Sequence, residues 1–205
     1  METLAIIDFE TTGLYPRHGD RATEIAIMLV RDGEIVDRFQ SLMNAGVRVD
    51  GFVTNLTGIT NTMIRAAPPA AKVMREAASF VGKRPLVAHN AAFDRSFWDT
   101  ELERISLTRR QDFACSMLVA RRVLPEAPNH KLGTLVSYAG LPVAGDYHRA
   151  AADAEMAARL TVYLGDQLRR RFRLDEVTHA LLTRIQKTPK HQLARCVERY
   201  SGACA

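Results

Sequence analysis

Two acidic residues, Asp8 and Glu10, come directly after a short apolar run at residues 4–7 (LAII). The run predicts a buried strand, and because a strand points alternate side chains to opposite faces, both carboxylates lie on one face. Two like charges held side by side are costly unless a positive charge lies between them. Carboxylate oxygens are the ligands that Mg²⁺ and Mn²⁺ prefer, so the pair indicates a divalent-cation site. A strand that simply ends in polar residues is the alternative.

A third acid, Asp94, belongs to the segment HNAAFD at residues 89–94. The segment follows a short apolar strand predicted from Pro85 to Ala88, and a helix is predicted from Ala92 to Glu103. Asp94 then falls in the first turn of that helix, beside the end of a strand. The alternative is a simple acidic residue at a helix N-terminus, where the helix dipole favours a negative charge.

A fourth acid and a histidine belong to the segment HRAAAD at residues 148–153. A helix is predicted from Arg149 to Leu164, with Asp153 on the helix and His148 in the loop before it. A rigid element holds a metal ligand in place, whereas a loop lets a general base move. The alternatives are a solvated Asp153 and an exposed loop histidine.

The elements around these segments predict the architecture. Residues 3–9, Ala22 to Val30 and Glu34 to Leu42 are predicted strands, and Asp32-Gly33 is a hairpin turn signal between the last two. Helices and short strands alternate after residue 69. A strand-rich start followed by helix–strand alternation indicates an α/β fold, a mixed sheet with helices on its faces.

The three segments DFETTG, HNAAFD and HRAAAD occur in this order along the chain. In these motifs the sequence resembles the DEDDh 3′–5′ exonucleases, the group that includes the proofreading subunit of bacterial replicative polymerases. The resemblance runs from about Leu4 to Leu164. It implies a ribonuclease H-like fold, with a mixed five-stranded sheet and helices on both faces.

The resemblance also implies the roles of the acids. Such enzymes hold two divalent ions, Mg²⁺ or Mn²⁺, around the scissile phosphate. Asp8, Glu10 and Asp153 match the direct metal ligands, and Asp94 matches the fourth acid, which acts through bound water. His148 matches the general base, for which an imidazole suits because its pKa lies near working pH.

Contacts to the terminal nucleotide are expected directly after the first acids. The residues whose backbone N–H groups could meet that nucleotide are Thr11, Thr12 and Gly13. The sequence departs from the family pattern at Thr57, where many relatives carry a histidine before the Gly-Ile pair. That departure puts a nucleotide contact at this position in doubt.

Apolar contacts to the terminal base are implied by family position. Leu14 and Leu56 could wedge against the base, with Phe93 close to the same pocket; core packing is the alternative for all three. His89 and His130 are interpreted as structural or surface histidines rather than ligands.

The basic residues are unevenly distributed. The net charge is +5, and residues 166–205 alone hold nine Lys/Arg against four Asp/Glu, whereas residues 1–165 hold 19 of each sign. A basic surface favours phosphate backbones, although a solvated helix face needs no partner. We expect an exonuclease domain over 1–165 and a basic helical C-terminal extension over 166–205, packed on the core.

These observations predict a metal-dependent 3′–5′ exonuclease that hydrolyses single-stranded nucleic acid, DNA in preference, to nucleoside 5′-monophosphates. The alternatives are a proofreading or accessory subunit that binds a DNA polymerase, an exoribonuclease acting on RNA 3′ ends, and an inactive binding module. No run of about 18 apolar residues occurs, so no membrane association is expected. The three cysteines show no metal or redox spacing, and a cytoplasmic location is expected.

Overall fold

The computed structural model describes residues 2–142 and 149–202, and within these two ranges the chain forms five strands and nine α-helices. The strands are β1 (Leu4–Thr11), β2 (Ala22–Arg31), β3 (Glu34–Leu42), β4 (Leu86–Ala88) and β5 (Phe113–Cys115). The helices are α1 (Gly51–Thr57), α2 (Asn61–Ala66), α3 (Ala70–Val81), α4 (Ala92–Glu103), α5 (Ser116–Val123), α6 (Leu132–Tyr138), α7 (Ala150–Phe172), α8 (His179–Ile185) and α9 (Leu193–Ser201). Two short 3₁₀ turns lie at Pro16–His18 and Lys190–Gln192.

The strands form one mixed sheet in the order β3-β2-β1-β4-β5. β1 pairs antiparallel with β2, and β2 with β3, whereas β4 runs parallel to both β1 and β5. The hairpin between β2 and β3 turns at Asp32 and Gly33, which both have positive φ angles (55° and 83°), as a two-residue hairpin loop requires. The predicted mixed five-stranded sheet with flanking helices is confirmed.

Each face of the sheet is covered by its own apolar cluster. On one face, Ile6 and Met28 pack with apolar residues of α7; on the other face, Ile7 and Ile25 pack with α3 and α4. Because side chains alternate along β1, Asp8 and Glu10 project from the face that also carries Ile6. The two acids therefore face α7.

The predicted helices agree with the structure in position but not always in length. Residues 69–82 (PAAKVMREAASFVG) are Ala-rich with helical spacing, which predicts a helix ended by Gly82. The structure has α3 in this segment, and Gly82 ends it with a φ of 58°. The helix predicted to end at Leu164 is longer, because α7 continues to Phe172. Helices α1 and α2 were not predicted; they are short, and their small apolar cluster closes over Leu42 at the end of β3.

The C-terminal helices contribute to the cluster on the α7 face. Leu181 and Ile185 of α8 and Val197 of α9 are buried there. The Gln186 side chain covers the outer edge of β5: its oxygen accepts the N–H of Cys115 at 2.6 Å, and its nitrogen donates to the carbonyl of Phe113 at 3.1 Å. An edge strand is thus paired by a side-chain amide instead of another strand.

The helix α7 crosses the predicted division at residue 165 without interruption. The assignment of residues 166–205 as a separate basic extension stays a prediction. Among the helices of the described ranges, none is both long enough and apolar enough to cross a membrane.

Candidate active site

Three carboxylates meet where β1 ends beside the first turn of α7. Asp8 and Glu10 come from β1 and Asp153 from α7, and each offers one oxygen that lies within 4.8 Å of the other two. The side chains are partly buried. The structure thus brings together three acids that lie up to 145 positions apart in the chain.

The fourth acid, Asp94, lies against the same strand and is almost fully buried, with 2% of its surface exposed. Its Oδ1 accepts the backbone N–H of Phe9 at 3.2 Å, between the two β1 acids. The chain reaches this place through a turn at Asn90, whose φ of 62° suits an asparagine, and then enters α4 at Ala92. Asp94 lies in the first turn of α4, as expected.

The packing of these acids raises their pKa values. Burial and then the charges of Asp94, Asp153 and Glu10 raise the pKa of Asp8 well above its ordinary value. Burial raises the pKa of Asp94 to about 8, although its hydrogen bonds oppose the shift. Burial, followed by the charges of Asp153 and Glu24, raises the pKa of Glu10 to about 8. Without a positive charge between them, these carboxyl groups therefore resist being ionised together at neutral pH.

This donor set fits divalent cations. Hard carboxylate oxygens from two rigid elements converge, and each opposes ionisation of the others, so a bound cation would remove the cost of burying them. Asp8, Glu10 and Asp153 are the residues that would hold Mg²⁺ or Mn²⁺ directly.

His148, the predicted general base, lies outside the described residues, whereas His89 of the HNAAFD segment lies within them. His89 contacts Ser116 Oγ through Nδ1 at 2.9 Å and the carbonyl of His130 through Nε2 at 3.0 Å. Burial lowers the pKa of His89 to about 4, so it is neutral and structural, as interpreted from the sequence.

The loop after β1 is held together by internal hydrogen bonds. Thr11 Oγ1 donates to the carbonyl of Gly13 at 2.6 Å, and the N–H of Thr12 donates to the carbonyl of Arg21 at 2.9 Å. Asp20, which the motifs did not point to, accepts the N–H of Tyr15 at 2.8 Å. The N–H of Thr12 is thus used inside the protein, not turned toward a nucleotide.

The predicted apolar contacts differ in exposure. Leu14 is 64% exposed and Leu56 is 45% exposed, so neither packs in the core. Phe93 is partly buried and its ring lies 5.0 Å from that of Phe97, which agrees with the core-packing alternative. Thr57 is buried; its Oγ1 donates to the carbonyl of Val53 at 2.9 Å and therefore stabilises the end of α1.

Sequence comparison identifies the class of protein. A family model described as Exonuclease (RNase_T) matches residues 5–161, and the chain belongs to this family. Within it, the chain is a member of the DEDDh 3′–5′ exonuclease group.

Individual relatives agree with this assignment. The chain is 37% identical over 160 residues to the DNA polymerase III PolC-type of Oceanobacillus iheyensis; the match covers 78% of this chain and 11% of that protein. The chain therefore spans only a small part of the length of the curated relatives it matches.

Two solved structures have the same fold. One, described as Exonuclease X in complex with 5′ overhanging duplex DNA, has a TM-score of 0.66 and 25% identity, and the match covers 94% of this chain and 98% of that one. The other is the nuclease domain of 3′hExo, described as a DEDDh family member bound to rAMP, with a TM-score of 0.69, 20% identity and coverage of 86% and 96%.

Proposed function

We propose that this protein is a metal-dependent 3′–5′ exonuclease that removes nucleotides one at a time from the 3′ end of single-stranded nucleic acid, DNA in preference. The products would be nucleoside 5′-monophosphates. The observation that carries the proposal is the convergence of Asp8, Glu10 and Asp153 within 4.8 Å, in a chain of the Exonuclease family.

Each acid has a stated task in this proposal. Asp8, Glu10 and Asp153 would hold two Mg²⁺ or Mn²⁺ ions, and buried Asp94 would support them from the side of α4. When bound, the ions supply positive charge that stabilises the phosphorane-like transition state and the leaving 3′ oxygen. The carboxylates fix the place of that charge, because β1 and α7 are rigid elements.

His148 is the proposed general base, on the ground of its place in the HRAAAD motif. Its imidazole would take the proton of the attacking water, for which a pKa near neutral is suitable. Leu14 and Leu56, both exposed, would contact the terminal base without reading its sequence. The exposed arginines of the C-terminal region would add sequence-independent attraction to phosphates.

A digestion assay tests the proposal. Purified protein is incubated with 3′-labelled single-stranded DNA, duplex DNA and RNA, each with Mg²⁺, Mn²⁺ or EDTA. We expect labelled mononucleotides from the first time points, fastest from single-stranded DNA, and no digestion in EDTA. Asp153→Asn is the control for contaminating nucleases, and its activity should fall by at least about a thousandfold.

The outcomes separate the alternatives. Faster digestion of RNA than of DNA would favour an exoribonuclease. No digestion of any substrate with Mn²⁺ would contradict the enzymatic proposal. Digestion that persists in Asp153→Asn would show that the activity comes from another protein or that the metal site is assigned wrongly.

Proofreading beside a polymerase is the second candidate, and the PolC-type relatives favour it. In that case the protein would remove a mismatched 3′ nucleotide and leave the end to a polymerase. A mismatched primer–template, incubated with the protein and a polymerase that lacks its own exonuclease, tests this candidate. Extension that depends on Asp153 would support it; equal extension with Asp153→Asn would contradict it.

A further inference from the structure

Glu24 is a fifth acid beside the carboxylate cluster, on the neighbouring strand β2. It is the direct partner of Glu10 in the antiparallel β1–β2 pairing, so the two side chains project from one face of the sheet. Glu24 is fully buried and belongs to none of the three motifs. Two carboxylates directly opposite each other destabilise a sheet unless another group compensates.

The compensating group is Arg149, the residue before α7. Its Nη2 donates to Glu24 Oε1 at 2.9 Å and its Nε donates to Oε2 at 3.1 Å. The backbone N–H of Ala150 donates to Oε2 at 3.2 Å, and the Gln40 amide of β3 donates to Oε1 at 2.8 Å. One carboxylate therefore joins β2, β3 and the first residue of α7.

The start of α7 is also where the site is assembled. Asp153 lies one helical turn after Arg149, and its N–H donates to the carbonyl of Arg149 at 3.1 Å. A shift or rotation of this turn would move the Asp153 carboxylate relative to Asp8 and Glu10. Side chains that fix a first turn can therefore fix a metal ligand without contacting the metal.

We propose that Glu24 and Arg149 are positioning residues of the exonuclease site. The two-pronged geometry of their ion pair, and not its charge alone, holds Asp153 at the distance from the β1 acids that the reaction needs. This inference rests on the proposed function, because it concerns the same carboxylate cluster.

The charge of Arg149 and its proposed role in positioning Asp153 predict opposite effects of its removal on cation binding. Removing the Arg149 guanidinium makes the site more negative, so charge alone predicts tighter binding of a cation. Loss of position predicts weaker binding and slower turnover. Arg149→Lys keeps the charge, but an ammonium group cannot reproduce the planar fork of a guanidinium, so it isolates the effect of geometry.

The test measures kcat and KM on 3′-labelled single-stranded DNA and, separately, Mn²⁺ affinity by titration calorimetry without nucleic acid. In Arg149→Lys and Arg149→Met we expect kcat to fall at least about tenfold and Mn²⁺ affinity to weaken. Loss of a group that orients a metal ligand typically lowers metal affinity or activity by about 10- to 100-fold. KM should stay within about twofold if the pair acts on the position of Asp153 and not on the nucleic acid.

A double variant separates catalysis from stability. Glu24→Gln together with Arg149→Met removes both buried charges, so its thermal midpoint should recover relative to Arg149→Met alone. Its kcat should not recover. A merely structural pair would restore both together.

The matched control is a second forked ion pair, Arg109 with Asp99, whose Nε–Oδ1 and Nη2–Oδ2 distances are 2.7 and 3.1 Å. It joins α4 to the segment before β5 and does not contact the start of α7. Arg109→Lys should lower the thermal midpoint and leave kcat and Mn²⁺ affinity unchanged.

Two results would overturn the inference: a kcat for Arg149→Lys within about twofold of the wild type, or tighter Mn²⁺ binding by Arg149→Met. If the wild type digests no nucleic acid, the proposed function fails by itself. The calorimetry then still decides the positioning role, because weaker Mn²⁺ binding by Arg149→Lys supports it and unchanged binding contradicts it.

Discussion

Replacing Glu10 by glutamine should stabilise the metal-free protein even as it removes activity. Burial, then the charges of Asp153 and Glu24, raise the pKa of Glu10 from its ordinary 4.5 to about 8, while Arg149 opposes the shift. The unfolded chain ionises this carboxyl at its ordinary pKa, so folding at neutral pH must protonate the carboxyl or bury a charge. The free energy by which Glu10 destabilises the folded protein is therefore zero below pH 4.5, grows between pH 4.5 and about 8, and is constant above that pH.

The stability expected to be gained in Glu10→Gln follows from the difference between neutral pH and the ordinary pKa of Glu10. Neutral pH lies about 2.5 pH units above the ordinary pKa, and at about 1.36 kcal/mol per unit the cost is about 3 kcal/mol. Because the Glu10 side chain keeps some contact with solvent, which screens part of the charge, we expect about 2 kcal/mol. For a domain of this size that free energy raises the thermal midpoint by roughly 4–8 °C.

The assay is urea unfolding in EDTA, measured for wild type and Glu10→Gln at several values between about pH 5 and about pH 8. The wild type should lose stability relative to Glu10→Gln as the pH rises across this range. Added Mn²⁺ should stabilise the wild type more than the variant, since the variant lacks one ligand.

Glu24→Gln is a control because it should change the free energy of unfolding in the opposite direction. Burial works to raise the pKa of Glu24, but hydrogen bonds from Arg149 and Gln40 and the Arg149 charge outweigh it and lower that pKa. Its ionised form is thus stabilising, and its replacement should destabilise the protein at neutral pH. A stability difference between wild type and Glu10→Gln that stays constant from acid to neutral pH in EDTA would refute the reasoning for Glu10.

Three further predictions test other parts of the structure. Gly13→Ala should raise KM and destabilise the protein by about 1–3 kcal/mol, because the new Cβ would lie 2.5 Å from the Asp20 carboxylate. The control Gly51→Ala, whose new Cβ would meet no heavy atom within 4 Å, should leave both KM and stability unchanged in paired kinetic and unfolding measurements. Gln186→Leu should lower the free energy of unfolding by about 1–3 kcal/mol, because two backbone groups of β5 lose their partner, and an unchanged urea midpoint would contradict that role. His148→Ala should lose most turnover and keep its Mn²⁺ affinity by calorimetry, and near-normal turnover would mean that another group is the base.

The sequence by itself determined which acids are candidates for the site and where each lies in its own strand or helix. Asp8 and Glu10 had to share a face because a strand has a period of two, and this depends only on neighbours in the chain. The apolar strand before residues 89–94 likewise predicted Asp94 in the first turn of a helix. Motif order then identified the exonuclease family, which the family match confirms.

The tertiary structure alone decided what holds these residues in place. Glu24 and Arg149 are 125 residues apart, and no local pattern marks either as a partner of the other. Gln186 completes the edge of β5 from a segment for which the sequence predicted only a basic helical extension. The physical reason is range: strand and helix periodicity is set within a few residues, whereas ion pairs and edge contacts of this kind exist only after the sheet order has brought distant segments together.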